Sequence, residues 1–297
     1  MNEYLSQPGS RWGDAGFTDI GLPSQLYRDS PLSEKGIRQA QDLYYLIQQQ
    51  KEEKEKKKEK ERSEMGAERE EIEKIEKMII PSVDEIDLVV LSPLTRSFQT
   101  FEYGLLPHLL LNDEQKQQLL KQQQQQNEGS QEQKPIIRPE HISIPVISLP
   151  LASERVYLMS DLGLSVEELK HKFPYVNYDT GFDHFDNNEW WFTVMKQDNK
   201  EMNKTHTFNS IHESKYKEWR PHKEGQQYSC YGEPDAEFNQ RMMALYQWLD
   251  QCDESTICLV SHWGVLDYFT GMDFENCELK LIPFEDITMH LKSKSML

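Results

Sequence analysis

The feature that most constrains the fold is a short apolar run that ends abruptly at a Ser-Pro pair. Residues 86–91 read Ile-Asp-Leu-Val-Val-Leu, and Ser92, Pro93 and a polar segment carrying Arg96 follow at once. An apolar run of this length predicts a parallel strand that is buried on both faces. Ser92 is predicted to cap the next helix, with Pro93 in its first turn. Arg96 is therefore expected at the carboxyl end of a strand, where open α/β sheets bind anions.

A second stretch, near the other end of the chain, has the same order of residue types. Residues 256–260 read Thr-Ile-Cys-Leu-Val, and Ser261, His262 and a helical run come next. Taken alone, each junction can also be interpreted without a function. Arg96 would then be an exposed arginine in a strand-to-helix turn, and His262 would have a structural role. Together, a guanidinium and an imidazole that each follow a strand predict a phosphate-binding site.

Five segments resemble motifs of the histidine phosphatase (phosphoglycerate-mutase-like) superfamily, in that family's order. Ser-Pro-Leu-Thr-Arg-Ser-Phe-Gln-Thr at 92–100 and Ser-His-Trp-Gly-Val-Leu at 261–266 resemble two of its motifs. Residues 29–40 resemble its first-helix motif, and Glu154 takes the position of its acidic residue. Residues 273–278 resemble the strand that follows the second histidine. The matches span nearly the whole chain.

The resemblance implies a three-layer α/β/α fold with a mostly parallel sheet, in a single domain over residues 1–297. Two low-complexity tracts, at about 48–77 and 114–134, are interpreted as insertions that lie outside the core. The first is rich in Glu and Lys, which suits a solvated extension of the first helix. The second is glutamine-rich, a composition that carries no site chemistry.

In the resembled family, a histidine within Arg-His-Gly attacks the phosphoryl group and forms a phosphohistidine. By resemblance, Arg96 clamps the phosphoryl oxygens and a charged His262 stabilises the developing charge. Glu154 protonates the leaving oxygen as general acid. A surface ion pair of Glu154 with Arg155 or a lysine is the structural alternative. The resemblance implies no cofactor, and no residue spacing indicates a metal site.

The N-terminal motif departs from the family. Residues 10–13 read Ser-Arg-Trp-Gly and resemble the end of Arg-His-Gly-Glu-Ser-Arg-Trp-Asn, which makes Arg11 a candidate substrate-binding residue with Arg96 and His262. This alignment sets Gln7 at the nucleophile, and a second alignment sets Trp12 there. Neither side chain forms a phosphorylated nucleophile. The strand expected before the motif is also missing, so we expect a truncated or misassigned N-terminus rather than a true pseudoenzyme.

Two functions follow. The first is a phosphatase that acts on a phosphomonoester through a phosphohistidine, in a sequence that lacks its nucleophile; the alternative is a catalytically inactive phospho-ligand-binding or scaffold protein. The expected partner is a small phosphorylated substrate or a phosphoprotein, and hydrolysis is favoured over mutase transfer. A net charge of -18 disfavours nucleic acid and anionic membranes as partners. With no signal peptide or membrane span in the sequence, the expected location is the cytoplasm.

Overall fold

The computed structural model describes most of the chain from residue 28 to residue 294. The described residues are 28–63, 83–125, 136–157, 159–183, 190–191, 193–195, 208–210, 233 and 235–294. The N-terminal motif with Gln7, Arg11 and Trp12 lies outside these residues, so every expectation about it stays a prediction.

The described residues form a mixed α/β structure, as the sequence predicts. The strands are β1 (Leu88–Leu91), β2 (Val146–Ser148), β3 (Thr193–Met195), β4 (Phe208–Ser210) and β5 (Ile257–Val260). The helices are α1 (Glu34–Ser63), α2 (Thr95–Gly104), α3 (Leu106–Leu109), α4 (Asp113–Gln125), α5 (Val166–Lys172), α6 (Asp179–Phe182), α7 (Asp235–Asp250), α8 (Trp263–Thr270) and α9 (Phe284–Ser293). Short 3-10 turns join several of them.

The central element is a three-stranded parallel sheet in the order β2, β1, β5. Val89 in the middle strand pairs with Val146 on one side and with Cys258 on the other. All four residues of β1 are buried. The prediction of a buried parallel strand is confirmed, although the strand begins at Leu88 rather than Ile86. A separate two-stranded antiparallel hairpin is formed by β3 and β4.

Apolar clusters cover both faces of the sheet. Successive residues of a strand point to opposite faces, and the residues of β1 alternate between the two clusters. The α2-side cluster joins Val89 and Leu91 to residues of α1, α2 and α5, among them Ile47, Phe98, Phe101 and Leu169. The α7-side cluster joins Leu88 and Val90 to residues of α7, α8 and α9, among them Phe238, Met242, Leu245, Val265 and Leu291.

The first helix continues without a break into the charged tract. It begins after Ser33, whose Oγ accepts the N–H of Gly36 at 3.3 Å, and its inner face ends at Ile47, which is 2 % exposed. Beyond that point Glu and Lys extend the helix to Ser63, because both residues have high helix propensity. No helix in the described parts of the chain, including this long one, is apolar enough over the required length to cross a bilayer.

The glutamine-rich tract departs from the expectation that it lies outside the core. Its first half forms α4, in which Leu119 is only 1 % exposed and belongs to the α2-side cluster. Gln123 is also buried, and its Nε2 donates to the backbone oxygen of Glu102 at 2.9 Å. A glutamine amide here satisfies a carbonyl near the end of α2, so burial of this polar side chain is compatible with packing.

The segment that resembled a strand after the second histidine is not one. Residues 271–283 contain no strand, and local side chains bond to their backbone instead. Asp273 Oδ1 accepts the N–H of Phe274 at 3.0 Å, and Glu278 Oε2 accepts that of Glu275 at 2.9 Å. Polar side chains that capture nearby backbone groups favour turns over ladder pairing.

Candidate functional site

The carboxyl ends of the three parallel strands bring three predicted site residues to one cavity. Arg96 lies in the first turn of α2 after β1, Glu154 in the loop after β2, and His262 directly after β5. All three line a cavity of about 770 Å³. Parallel strands end at the same edge of a sheet, which is where ligands bind in open α/β structures. The structure therefore brings Arg96, Glu154 and His262 together, while their chemical roles stay predictions.

The guanidinium of Arg96 is held by three partners from different parts of the chain. Its Nη1 donates to the backbone oxygen of Ser160 at 2.6 Å, and its Nη2 donates to Asp161 Oδ1 at 3.0 Å. Its Nε lies 3.4 Å from His262 Nδ1. With these described partners bonded, each terminal nitrogen keeps one further N–H for an anion. Arg96 is thus oriented before any ligand arrives.

The imidazole of His262 is buried and bonded at both nitrogens. Because Arg96 Nε can only donate, Nδ1 must accept, and the ring proton is assigned to Nε2. That nitrogen donates to Ser92 Oγ at 2.7 Å, with Ser97 Oγ at 3.3 Å. Burial, followed by the charges of Arg96 and Arg241, lowers the pKa of His262 well below its usual range. The neighbouring arginines disfavour a third cation, so the neutral ring is favoured while the cavity holds no anion; the expected charge of His262 beside a bound phosphate stays a prediction.

Ser92 supports His262 rather than capping α2, and its predicted capping role is wrong. The residue in the N-cap position is Leu94, which makes no side-chain cap. Asp29 supplies the missing acceptors, with Oδ1 accepting the N–H of Thr95 at 2.8 Å and Oδ2 accepting its hydroxyl at 2.5 Å. A carboxylate at this position also suits the partial positive charge of a helix N-terminus.

Glu154 lies against the start of α8. A side chain at Gly264 would come within 2.8 Å of Glu154 Oε1, so glycine leaves room for the carboxyl. The same oxygen accepts the backbone N–H of Arg155 at 2.9 Å. Burial, and then the charge of Asp161, raise the pKa of Glu154 to about 7, against a lowering by Arg96. A carboxyl with this pKa can hold and give up a proton near neutral pH.

The alternative interpretation of Glu154, an ion pair with Arg155, is not what the structure shows. The Arg155 guanidinium is directed elsewhere, to Asp235 Oδ1 at 2.6 Å and to the backbone oxygen of Glu233 at 2.7 Å. Its cationic centre also lies 4.8 Å from the ring centroid of Tyr157. The hydrogen bond of Arg155 to the carboxylate of Glu154 comes from its backbone N–H.

Sequence reasoning missed a buried ion pair that supports the loop after β2. Arg241 Nη2 and Glu233 Oε2 are 2.6 Å apart, and both side chains are almost fully buried. Arg241 Nη1 also donates to the backbone oxygens of Leu151 and Ser153, at 2.8 and 2.9 Å. The one available signal was the position of Arg241 on the apolar face of α7, three residues after Phe238. An arginine there needs a buried partner.

Sequence reasoning also gave no role to Asp161, which the structure places inside the site. Its carboxylate is 7 % exposed and pairs with Arg96. No group of three or more His, Cys, Asp or Glu side chains in the described ranges is arranged to hold a metal ion. The remaining predicted substrate-binding residue, Arg11, lies outside the described residues, so its role stays a prediction. Neither a family model nor a curated protein matches this chain.

Proposed function

We propose that the chain is a phosphoglycerate-mutase-like protein whose cavity binds the phosphoryl group of a phosphomonoester. The observation that carries this proposal is that Arg96, His262 and Glu154 meet at the carboxyl ends of three adjacent parallel strands. Apolar clusters on both faces of the sheet support a three-layer α/β/α arrangement around it. A small phosphorylated molecule or a phosphoprotein is the proposed ligand.

Phosphate binding rests on the charges that face the cavity. Beyond its described partners, each terminal nitrogen of Arg96 keeps one further N–H, in a planar fork that suits two phosphoryl oxygens. A bound dianion offsets the positive potential of Arg96 and Arg241, the two charges that disfavour protonation of His262. His262 is therefore expected to take up a proton when phosphate binds, and only then to act as a cation.

Hydrolysis needs a nucleophile in addition to these residues. In the proposed reaction a histidine nitrogen attacks phosphorus, the bond to the leaving oxygen breaks, and Glu154 gives that oxygen its proton. Water then gives a proton back to Glu154, attacks the phosphohistidine, breaks the bond between nitrogen and phosphorus and releases phosphate. His262 is not suited to the attack, because both of its ring nitrogens are bonded to Arg96 and Ser92. The sequence holds no Arg-His-Gly that would supply another histidine.

One observation favours the noncatalytic alternative for the chain with this sequence. Among the described residues that line the cavity, His262 is the only histidine. We therefore propose that this polypeptide binds phosphorylated ligands without turning them over. Catalysis by the same cavity requires a histidine nucleophile, which in the resembled family follows a strand. Leu259 and Val260 of β5 line the cavity, and no described strand pairs with the outer edge of β5, so that edge can receive such a strand.

Turnover of a generic phosphomonoester tests both parts of this proposal. The chain with this sequence should release essentially no phosphate from p-nitrophenyl phosphate, since loss of a nucleophile costs on the order of 10⁴-fold or more in rate. A chain with an apolar strand and Arg-His-Gly grafted ahead of Ser10 should turn over and form an acid-labile phosphoenzyme that rapid quenching traps. In the grafted chain His262→Ala should abolish turnover, whereas Arg138→Ala, at an exposed arginine outside the cavity, should not.

The outcomes separate the two functions. A grafted chain that binds phosphate but stays inactive would favour the binding protein over the phosphatase. Robust turnover by the unmodified chain, lost on Arg96→Ala, would show that another residue is the nucleophile and overturn this account of catalysis.

A further inference from the structure

Asp161 joins two parts of the site that lie far apart in the sequence. Its Oδ1 accepts from Arg96 Nη2 at 3.0 Å, and its Oδ2 accepts the backbone N–H of Tyr157 at 3.1 Å. Tyr157 lies in the loop that carries Glu154. The neighbouring Ser160 holds the other terminal nitrogen of Arg96 through its backbone oxygen. The buried carboxylate of Asp161 therefore fixes the guanidinium of Arg96 relative to the loop that carries Glu154.

The charge of this carboxylate matters because it is almost fully removed from water. A negative group at hydrogen-bond distance from Arg96 cancels part of the positive potential that an incoming dianion would meet. Charge–charge interactions in such a partly enclosed site are screened less than those at the surface. An anion that binds Arg96 must therefore do so next to an existing negative charge.

We propose that Asp161 is the positioning residue of the anion site, holding Arg96 in its binding orientation while limiting the affinity of the cavity for dianions. This inference rests on the proposed phosphate-binding function. It implies that inorganic phosphate alone binds weakly. A phosphorylated ligand then gains its affinity from contacts of its remaining atoms with the cavity.

Asp161 also acts on Glu154 through its charge. Among the described residues, the charges that act most on Glu154 are those of Asp161, Arg96 and Arg241, and of these three Asp161 alone favours its protonated form. Neutralising Asp161 therefore has two consequences that a purely structural role would not have. Dianions bind more tightly, and Glu154 loses its proton at a lower pH.

Isothermal titration with sodium sulfate separates these consequences, because sulfate keeps its charge across the neutral range. Asp161→Asn keeps the size of the side chain and should bind sulfate about tenfold more tightly than the wild-type chain at pH 6. In the wild type, binding should weaken as Glu154 ionises near pH 7, and in Asp161→Asn this step should move to lower pH. Glu154→Gln should remove the part of this pH dependence that comes from Glu154 and leave the part that comes from proton uptake by His262 on binding.

Two variants serve as controls. Asp179→Asn neutralises an exposed carboxylate that pairs with Lys170 outside the cavity, and it should leave sulfate affinity unchanged. Asp161→Glu keeps the charge, and it should bind sulfate as weakly as the wild type with the same pH step. If Asp161→Asn fails to fold, Asp161→Glu still decides the matter, since tight sulfate binding by Asp161→Glu would overturn the inference.

The remaining outcomes distinguish this inference from the proposed function. If the wild type binds sulfate and Arg96→Ala does not, the anion site stands. Unchanged or weaker sulfate binding by a folded Asp161→Asn would then overturn the affinity-limiting role of Asp161. If neither the wild type nor Asp161→Asn binds sulfate between pH 5 and 8, the proposed phosphate-binding function fails and this inference fails with it.

Discussion

The two junctions that supply Arg96 and His262 share an order of residue types but differ in their surroundings. Each consists of an apolar strand, a serine and then a helix. β1 has a strand on both sides and four buried residues, whereas β5 lies at the edge of the described sheet and has one buried residue, Cys258. Similar local sequences thus form one central and one peripheral junction in the described sheet. The burial of each strand depends on which parts of the chain pack against it.

The serines that follow the two strands show the same contrast. Ser92, after β1, is fully buried and accepts from the imidazole of His262. Ser261, after β5, is less buried and its Oγ donates to the backbone oxygen of Ala152 at 2.7 Å. The central junction therefore stabilises the histidine of the peripheral one. We infer that the β1 junction is the fixed part of the site and that the β5 junction depends on it.

Replacing one leucine in each strand should show the largest difference in stability between the two junctions. Leu88 and Leu259 both pack in the α7-side cluster, but Leu88 is 1 % exposed and Leu259 is only partly buried. Leu88→Ala should lower the free energy of unfolding by about 3 kcal/mol, through lost burial and a cavity. Leu259→Ala should cost about 1 kcal/mol, because less apolar area leaves water on folding. Urea denaturation of both variants measures the difference, and equal costs would contradict the central–peripheral distinction.

The third junction, after β2, should show a pH-dependent contribution to stability. The pKa of Glu154 is about 7 in the folded chain against an ordinary value of 4.5, so between these values the folded state binds more protons than the unfolded state. The free energy of unfolding should then fall as pH rises through this window, by at most about 3 kcal/mol. Glu154→Gln should not show this fall.

His262 changes the stability with pH in the opposite direction, so its contribution must be separated from that of Glu154. Its pKa is lowered in the folded chain, so the unfolded state takes up a proton first and stability falls as pH drops below about 6.5. The comparison of Glu154→Gln with wild type at each pH cancels this contribution. A difference between the two chains that is constant from pH 5 to 8 would show that Glu154 does not titrate near neutrality.

Replacing the two serines should give the smallest difference in unfolding free energy between the junctions. Ser92→Ala removes the near acceptor of the buried His262 Nε2 proton and leaves only Ser97 at 3.3 Å, so it should cost about 1 to 2 kcal/mol of unfolding free energy. Ser261→Ala removes a hydrogen bond at a wetter position and should cost less than about 1 kcal/mol. Thermal melting of the two variants tests which serine contributes more to stability. A larger loss from Ser261→Ala would contradict the inference that the β5 junction depends on the β1 junction.

Elements that depend on local patterns could be predicted from the sequence. The apolar runs predicted β1 and β5, and the helical spacing of Phe238, Met242, Leu245 and Leu249 predicts the helix that the structure has at Asp235–Asp250. The spacing of Ser165 and Glu168 likewise predicts a capping box. In α5 the backbone N–H of Glu168 donates to Ser165 Oγ at 3.3 Å, and the Glu168 carboxylate accepts the N–H of Ser165 at 2.8 Å. Each of these signals lies within a few residues of its consequence.

Features that depend on distant partners could not be predicted. The cap of α2 comes from Asp29, 66 residues before Thr95, so Ser92 looked like the better candidate. Leu119 was assigned to a solvated tract because its neighbours are glutamines, although it is buried on α4 and packs in the α2-side cluster. The position of Asp161 beside Arg96 likewise depends on how the loop after β2 folds back, which no local pattern encodes.

The measurement that tests the central claim most directly is an isothermal titration with inorganic phosphate. The wild-type chain should bind phosphate, and Arg96→Ala and His262→Ala should each weaken binding about 10- to 100-fold, the effect of losing a charge-assisted hydrogen bond. Arg138→Ala should bind as the wild type does, since this exposed arginine does not line the cavity. Phosphate binding that survives both Arg96→Ala and His262→Ala, or that Arg138→Ala weakens equally, would contradict a phosphate site at the carboxyl ends of β1 and β5.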